Sequence, residues 1–152
     1  MTPEARLAEL GLTLPEPPKP AGLYAPTVAW SGFLFTSGQV PVQDGRVAYQ
    51  GKVGRDLSVE EGRAAARLAA LNGVAAARRH LGSLDLISRV VRLTVYVASA
   101  EGFTQQPAVA DGASQLLRDL WGDAGTAARS AVGVAELPLG AAVEVELTFA
   151  LS

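Results

Sequence analysis

The C-terminal stretch of the chain constrains its fold more than any other. Arg129-Ser130-Ala131-Val132-Gly133-Val134-Ala135-Glu136-Leu137-Pro138 is followed, after a short break, by Val143-Glu144-Val145-Glu146. Both segments alternate with period two, and Pro138 and Gly140 punctuate the gap, which predicts two strands joined by a tight turn. Side chains alternate across a strand, so Val132, Val134, Val143, Val145, Leu147 and Phe149 are expected on one face. Arg129, Ala131, Gly133, Ala135, Glu144, Glu146 and Thr148 are expected on the other. One guanidinium and two carboxylates then share a face of small residues that a second, ligand-bearing surface can approach closely.

A hairpin centred on Leu139-Gly140 sets Glu144 opposite Ala135, six residues along the strand from Arg129. That separation is roughly 20 Å at about 3.3 Å per residue. One subunit cannot bring both groups to one small ligand, whereas neighbouring subunits can.

The remaining elements follow from local signals. Residues 3–10 form an amphipathic helix with Thr2 as cap and Pro3 at its first position,. Pro15, Pro17, Pro18 and Pro20 then enforce an extended linker,. Thr27–Trp30 and Phe33–Val40 are strands around a Ser31-Gly32 turn, and Asp44-Gly45 marks a second turn,. Ser58 and Glu61 form a capping box that opens a long helix closed by Gly82,. Its apolar stripe is expected to be Ala64, Leu68, Leu71, Ala75 and Leu81,. Val90–Ser99 is a strand with Val91, Leu93, Val95 and Val97 on one face and Arg92, Thr94 and Tyr96 on the other. A last helix runs from about Thr104 to Trp121, with Val109, Ala113, Leu116, Leu117 and Leu120 inward. The order is β-β-α-β-α-β-β, an α+β domain whose two long helices can cover only one face of the sheet. Self-association through the uncovered face is the economical solution.

Composition excludes several chemistries. A chain of 152 residues buries about 70% of its unfolded surface and needs only one core. There is no Cys and a single His, His80, so thiolate nucleophiles, Cys-ligated zinc and paired-His metal motifs are ruled out. The sequence implies no metal and no cofactor. A formal charge of −2 offers no cationic footprint for nucleic acid. Neither a signal peptide nor an apolar run of about 18 residues is present, so no membrane contact and a cytoplasmic location are expected.

The motifs Phe35-Thr36-Ser37-Gly38-Gln39-Val40-Pro41, Ala128-Arg129-Ser130-x-Val132-x-Val134-x-x-Leu137-Pro138 and Val143-Glu144-Val145-Glu146, in this order and spacing, resemble the Rid/YjgF family. These are the reactive-intermediate imine deaminases, also labelled L-PSP endoribonucleases. The resemblance covers residues 22–152 and leaves residues 1–21, the N-terminal helix and proline-rich linker, outside. It implies a chorismate-mutase-like fold with a mixed sheet and two helices on one face, a homotrimer, and three clefts between subunits. It also implies hydrolysis of 2-imino or enamine acids to 2-oxo acids and ammonia, with a small carboxylate-bearing ligand as partner. Position by position, Arg129 matches the arginine that grips the substrate carboxylate, and Glu144 the acid that positions or activates water. Tyr24 matches the cleft-wall tyrosine and Ser37-Gly38 the segment beside the ligand. Two positions depart from the deaminase branch. Pro107, preceded by Gln105 and Gln106, stands where that branch has an asparagine, and Ala131 stands where a cysteine is frequent. Gln106 and Ala131 are therefore added to the substrate-binding set. The rival readings are a non-catalytic trimer that binds small carboxylates and, following the older label, an endoribonuclease.

Overall fold

The computed structural model describes residues 1–152. It begins with helix α1 (Pro3–Glu9), capped by Thr2, whose Oγ1 accepts from the Ala5 N–H at 3.2 Å. The proline segment has no regular structure, yet it is not loose. Leu12 and Leu14 pack on the core, and Glu16 pairs with Arg79. Ser31 and Gly32, with φ of 52° and 83°, make the two-residue turn whose twist suits a hairpin. They join β1 (Thr27–Trp30) to β2 (Phe33–Thr36), with Val28 opposite Phe35 and Trp30 opposite Phe33. Asp44-Gly45 repeats the device between β3 (Val42–Gln43) and β4 (Arg46–Val47), a separate two-stranded ribbon.

Helix α2 (Val59–Leu81) carries the expected capping box. Ser58 Oγ accepts from the Glu61 N–H at 3.1 Å, and Glu61 Oε1 accepts from the Ser58 N–H at 3.0 Å. Gly82, at φ 85°, ends it. Its buried face, however, is not the leucine stripe. Ala65, Ala66, Ala69, Ala70, Val74 and Ala77 are fully buried, and of the expected stripe only Ala75 is buried with them; Ala64, Leu68, Leu71 and Leu81 are half-buried at its flank. Small residues let the helix axis sit close to the sheet. A Cβ at Gly73 would stand 2.9 Å from Leu147 Cδ1. Leu68 and Leu71 instead line a side crevice with Leu12, Tyr49 and Leu116.

Strand β5 (Ile87–Ala98) is followed by α3 (Gln106–Trp121), β6 (Ala128–Val134) and β7 (Val143–Leu151). Val109, Ala113, Leu116, Leu117 and Leu120 of α3 are buried as expected. Irregular pairing with β7 between Val90 and Arg92 shifts the phase of β5. Val90 therefore takes the core position and Val91 is half-buried.

The five-stranded sheet has the order β1-β2-β7-β5-β6, and this corrects the expected C-terminal hairpin. β6 and β7 run in opposite senses but do not touch, because β5 lies between them. β6 pairs parallel to β5 and β7 pairs antiparallel to it. The α3 crossover delivers β6 to the sheet edge. The chain then passes the end of β5, where the Ala98 N–H donates to the Ala142 carbonyl at 2.9 Å, and enters β7 on the far side. Strand alternation defines faces within one segment and is blind to a third strand inserted between two others.

The face assignment changes with the topology. In the parallel register Leu93, Val95 and Val97 stand beside Arg129, Ala131 and Gly133. These three belong to the helix side, and Ser130 and Val132 to the open side. In the antiparallel register Tyr96 stands beside Glu144 and Thr94 beside Glu146. Arg92, Thr94, Tyr96, Glu144 and Glu146 therefore share the open face as expected, but Arg129 does not join them. With α2 over β7 and β2, and α3 over β5 and β6, the open face also presents Val28, Trp30, Phe33, Phe35 and Val132 to solvent.

Candidate active site

Two clusters of functional groups stand on opposite faces of the sheet. The first is built around Glu144 on the open face. The segment after β2 bridges to β7. The Gln39 N–H donates to the Val145 carbonyl at 2.8 Å, and the Val145 N–H returns a bond to Gln39 at 2.9 Å. This clamps Gly38 against the Glu144 side chain so tightly that a Cβ there would lie 2.6 Å from Glu144 Oε1. Glycine is needed at this position for close approach. Ser37 secures the same segment from the other side, its N–H donating to Pro26 O at 2.9 Å and its hydroxyl to Ala25 O at 2.6 Å. Tyr24, one residue before Ala25, is half-exposed, and its hydroxyl accepts from the Ala21 N–H at 3.2 Å. Ser37, Gly38 and Glu144 are thus brought together, and Tyr24 joins them only through its chain neighbour Ala25.

Glu144 sits in an environment that disfavours its charge. Desolvation first, and then the Glu146 carboxylate two residues on, push its carboxyl above the ordinary carboxylate range,. The Tyr96 hydroxyl donates to Glu146 Oε1 at 2.8 Å. That bond, followed by burial and the two nearby carboxylates, raises the phenol in turn. Arg92 lies on the same face and donates to Ser130 Oγ at 2.6 Å.

The second cluster is on the helix side of the edge strand. Arg129 extends toward α3, where its Nη1 donates to Asp111 Oδ1 at 2.7 Å and to Ser114 Oγ at 3.1 Å. Both contacts use the same nitrogen, so Nε and Nη2 remain as a free two-donor edge. Its side chain is 26% exposed. Ala131 packs against the core beside it. Farther along, Gln106 lies over Gly133, where a Cβ would come within 2.8 Å of Gln106 Nε2. That amide donates to Phe103 O at 2.8 Å and Ser99 Oγ at 3.2 Å. Pro107 occupies the first turn of α3 and offers no side-chain donor,.

Arg129, Gln106 and Ala131 are therefore one group, and Tyr24, Ser37, Gly38 and Glu144 another. Asp111, Ser114, Tyr96 and Glu146 were not singled out from the sequence as site residues. Asp111 and Ser114 carry a readable signal, two polar positions three apart on one edge of a helix that is otherwise apolar toward the core. No group of three or more His, Asp or Glu side chains is placed to hold a metal, and no helix is long and apolar enough to cross a membrane.

Residues 4–151 match the family model described as "YjgF/chorismate mutase-like, putative endoribonuclease". Protein TCP17 of Trypanosoma cruzi is 46% identical over 143 residues, covering 93% of this chain and 89% of that protein. A Shewanella oneidensis structure with the same endoribonuclease description superposes with a TM-score of 0.96 at 38% identity. That match covers 99% of this chain and all of the other, so α1 and the proline arm have counterparts there. Escherichia coli TdcF, solved with bound serine, superposes with a TM-score of 0.63 at 27% identity over 90% of this chain and 94% of its own.

Proposed function

The chain belongs to the YjgF/chorismate-mutase-like family, and from that premise we propose that it is a homotrimeric hydrolase of 2-imino and enamine acids. The supporting observation is the placement of Arg129 and Glu144 on opposite faces of one sheet. Each protomer offers a guanidinium on one side and a poised acid on the other, so a complete site forms where the helix side of one copy's edge strand meets the open face of the next. The exposed Val28, Trp30, Phe33, Phe35 and Val132 give that contact its apolar area,.

In the cleft the free Nε–Nη2 edge of Arg129 takes the substrate carboxylate through two parallel bonds, each about 1.5–3 kcal/mol. Glu144 removes a proton from water as its oxygen bonds to the carbon of the protonated imine, giving a neutral carbinolamine. The acid then returns the proton to nitrogen. The C–N bond breaks, ammonia leaves, and loss of the hydroxyl proton yields the 2-oxo acid. A carboxyl raised above its ordinary value suits both roles, and such catalysis contributes typically 10²–10⁴-fold. The serine bound by TdcF carries the same pairing of a carboxylate with nitrogen on the adjacent carbon.

The test is ammonia release from enzymatically generated imino acids. Wild type is expected to exceed the buffer rate and Arg129→Ala to match it. If both match buffer, the deaminase reading fails. A non-catalytic carboxylate binder is the second reading, favoured by the hold of Asp111 on Arg129 and by Pro107 and Ala131. Thermal stabilisation by 2-oxobutyrate or benzoate without turnover supports it. The ribonuclease label draws no support from the net charge of −2,.

A further inference from the structure

We infer that Tyr96 and Glu146 form a positioning pair that assigns the shared proton of the open-face acid cluster to Glu144. The inference starts from strand geometry. Glu144 and Glu146 are two residues apart on β7 and point the same way, where like charges repel. Where two carboxylates interact, their titrations are coupled, and their surroundings decide which one holds the charge.

Those surroundings are asymmetric. Tyr96 stands beside Glu144 in the β5–β7 register, yet its hydroxyl reaches past that partner to donate to Glu146 Oε1 at 2.8 Å. A phenol proton given to a carboxylate favours the anion, and Glu146 is the carboxylate that receives it. Glu144 has no such donor. It is pressed against Gly38, where the backbone excludes water from one side of its carboxyl. Within one protomer the other groups facing the pair do not undo the asymmetry. Thr94 and Ser130 are uncharged, and Arg92 commits an Nη2 donor to Ser130 Oγ at 2.6 Å. On the segment packed over Glu144, Gly38 and Gln39 carry no charge. The neighbouring carboxylate then favours the protonated form of Glu144 beyond the effect of burial alone. This agrees with the upward displacement of its carboxyl, with burial as the larger cause and Glu146 as the second.

Tyr96 and Glu146 act through Glu144 and touch no substrate themselves. For the deaminase reading, this supplies what lets one acid serve first as base and then as proton donor. The inference rests on that reading only for its kinetic consequence, because the proton assignment holds with or without turnover.

The experiment is carboxyl titration by carbon-13 NMR on the Glu-labelled full chain, with Glu144→Gln identifying the resonance. In both Glu146→Gln and Tyr96→Phe the Glu144 midpoint is expected to move down relative to wild type. In Glu146→Gln the neighbouring charge is gone. In Tyr96→Phe the anion at Glu146 loses its donor and competes for the proton. An unmoved Glu144 midpoint in both variants overturns the proposal, as does a Tyr96→Phe substitution that lowers the midpoint by the same amount in the Glu146→Gln background as in wild type. If Tyr96→Phe fails to fold, Glu146→Gln decides alone: a fall supports the pair and an unmoved midpoint overturns it. Where wild type releases ammonia, the acid limb of its kcat/KM profile is expected to move to lower pH in both variants. An inactive wild type refutes the deaminase reading and leaves the titration to judge the pair.

Discussion

Arg129 and Glu144 face away from each other across the same sheet, separated by the whole of β5. Arg129 is level with Leu93 and Leu147, and Glu144 is level with Tyr96, three residues farther along. Two strand spacings put the residues roughly 10 Å apart sideways, and three residues add roughly 10 Å lengthwise. The expected separation within one subunit survives, but for a different reason. The hairpin that suggested it does not exist, and the sheet itself stands between the two groups.

Removing the guanidinium separates binding from stability. The ion pair of Arg129 with Asp111 has side chains 26% and 57% exposed, and exposed pairs contribute about 0–1 kcal/mol. Arg129→Ala is expected to shift the melting temperature little. It should weaken 2-oxobutyrate binding by about 10²-fold or more, from the loss of two charge-assisted bonds. Arg129→Lys, which lacks the planar fork, should not restore binding. Isothermal calorimetry beside a thermal melt checks both.

Glu144 makes stability depend on pH with a definite sign. Its carboxyl is raised in the folded state, so the native protein holds that proton more tightly than the unfolded chain. Its contribution is fully present below the unfolded pKa and is lost as pH rises through the folded one. Glu144→Gln, which keeps an uncharged side chain, is expected to gain on wild type between pH 4 and pH 7. Melting temperatures of the two proteins at both pH values decide it. A wild type that gains on the variant over that range contradicts the assignment.

Gly38→Ala should damage function more than folding. The added methyl meets Glu144 Oε1 and Cδ at 2.6 and 2.7 Å, the far end of a flexible side chain that can swing away. The carboxylate moves by about 1 Å, and a displacement of that size costs a reaction about 10²-fold. Steady-state kinetics should show the loss in kcat, with a melting temperature close to wild type.

Assembly is expected to depend on the open face. Phe35 and Val132 are 44% and 43% exposed, and a carboxylate at either would be buried without a partner in a packed interface. Sedimentation equilibrium should give three times the chain mass for wild type and the single-chain mass for Phe35→Asp or Val132→Glu. Single chains in the wild type would remove the shared cleft and the deaminase reading with it.

Legibility followed the range of each interaction. The Thr2 cap, the Ser58–Glu61 capping box, the Gly82 stop and the Ser31-Gly32 turn are settled within a few residues, and all appear where expected. The buried face of α2 differs from the expected stripe at every position but Ala75, because a hydrophobic stripe rewards large side chains. The sheet instead selected alanines that let the helix approach. Within the candidate site, Ser37, Gly38 and Glu144 meet through a bridge at Gln39 and Val145 that no single segment reveals.

Alternation along β6 and β7, taken alone, determined that each strand carries one apolar and one chemical face, because a pleated backbone sends successive side chains to opposite sides. Which strands are neighbours, and therefore which faces coincide, was decided only when α3 carried β6 to the outer edge of β5 and left β7 on its inner side. That choice depends on burying helices against one side of a sheet, a property of the whole core rather than of any stretch of it. It turned Arg129 toward Asp111 and left Glu144 with Tyr96 and Glu146 on the open side.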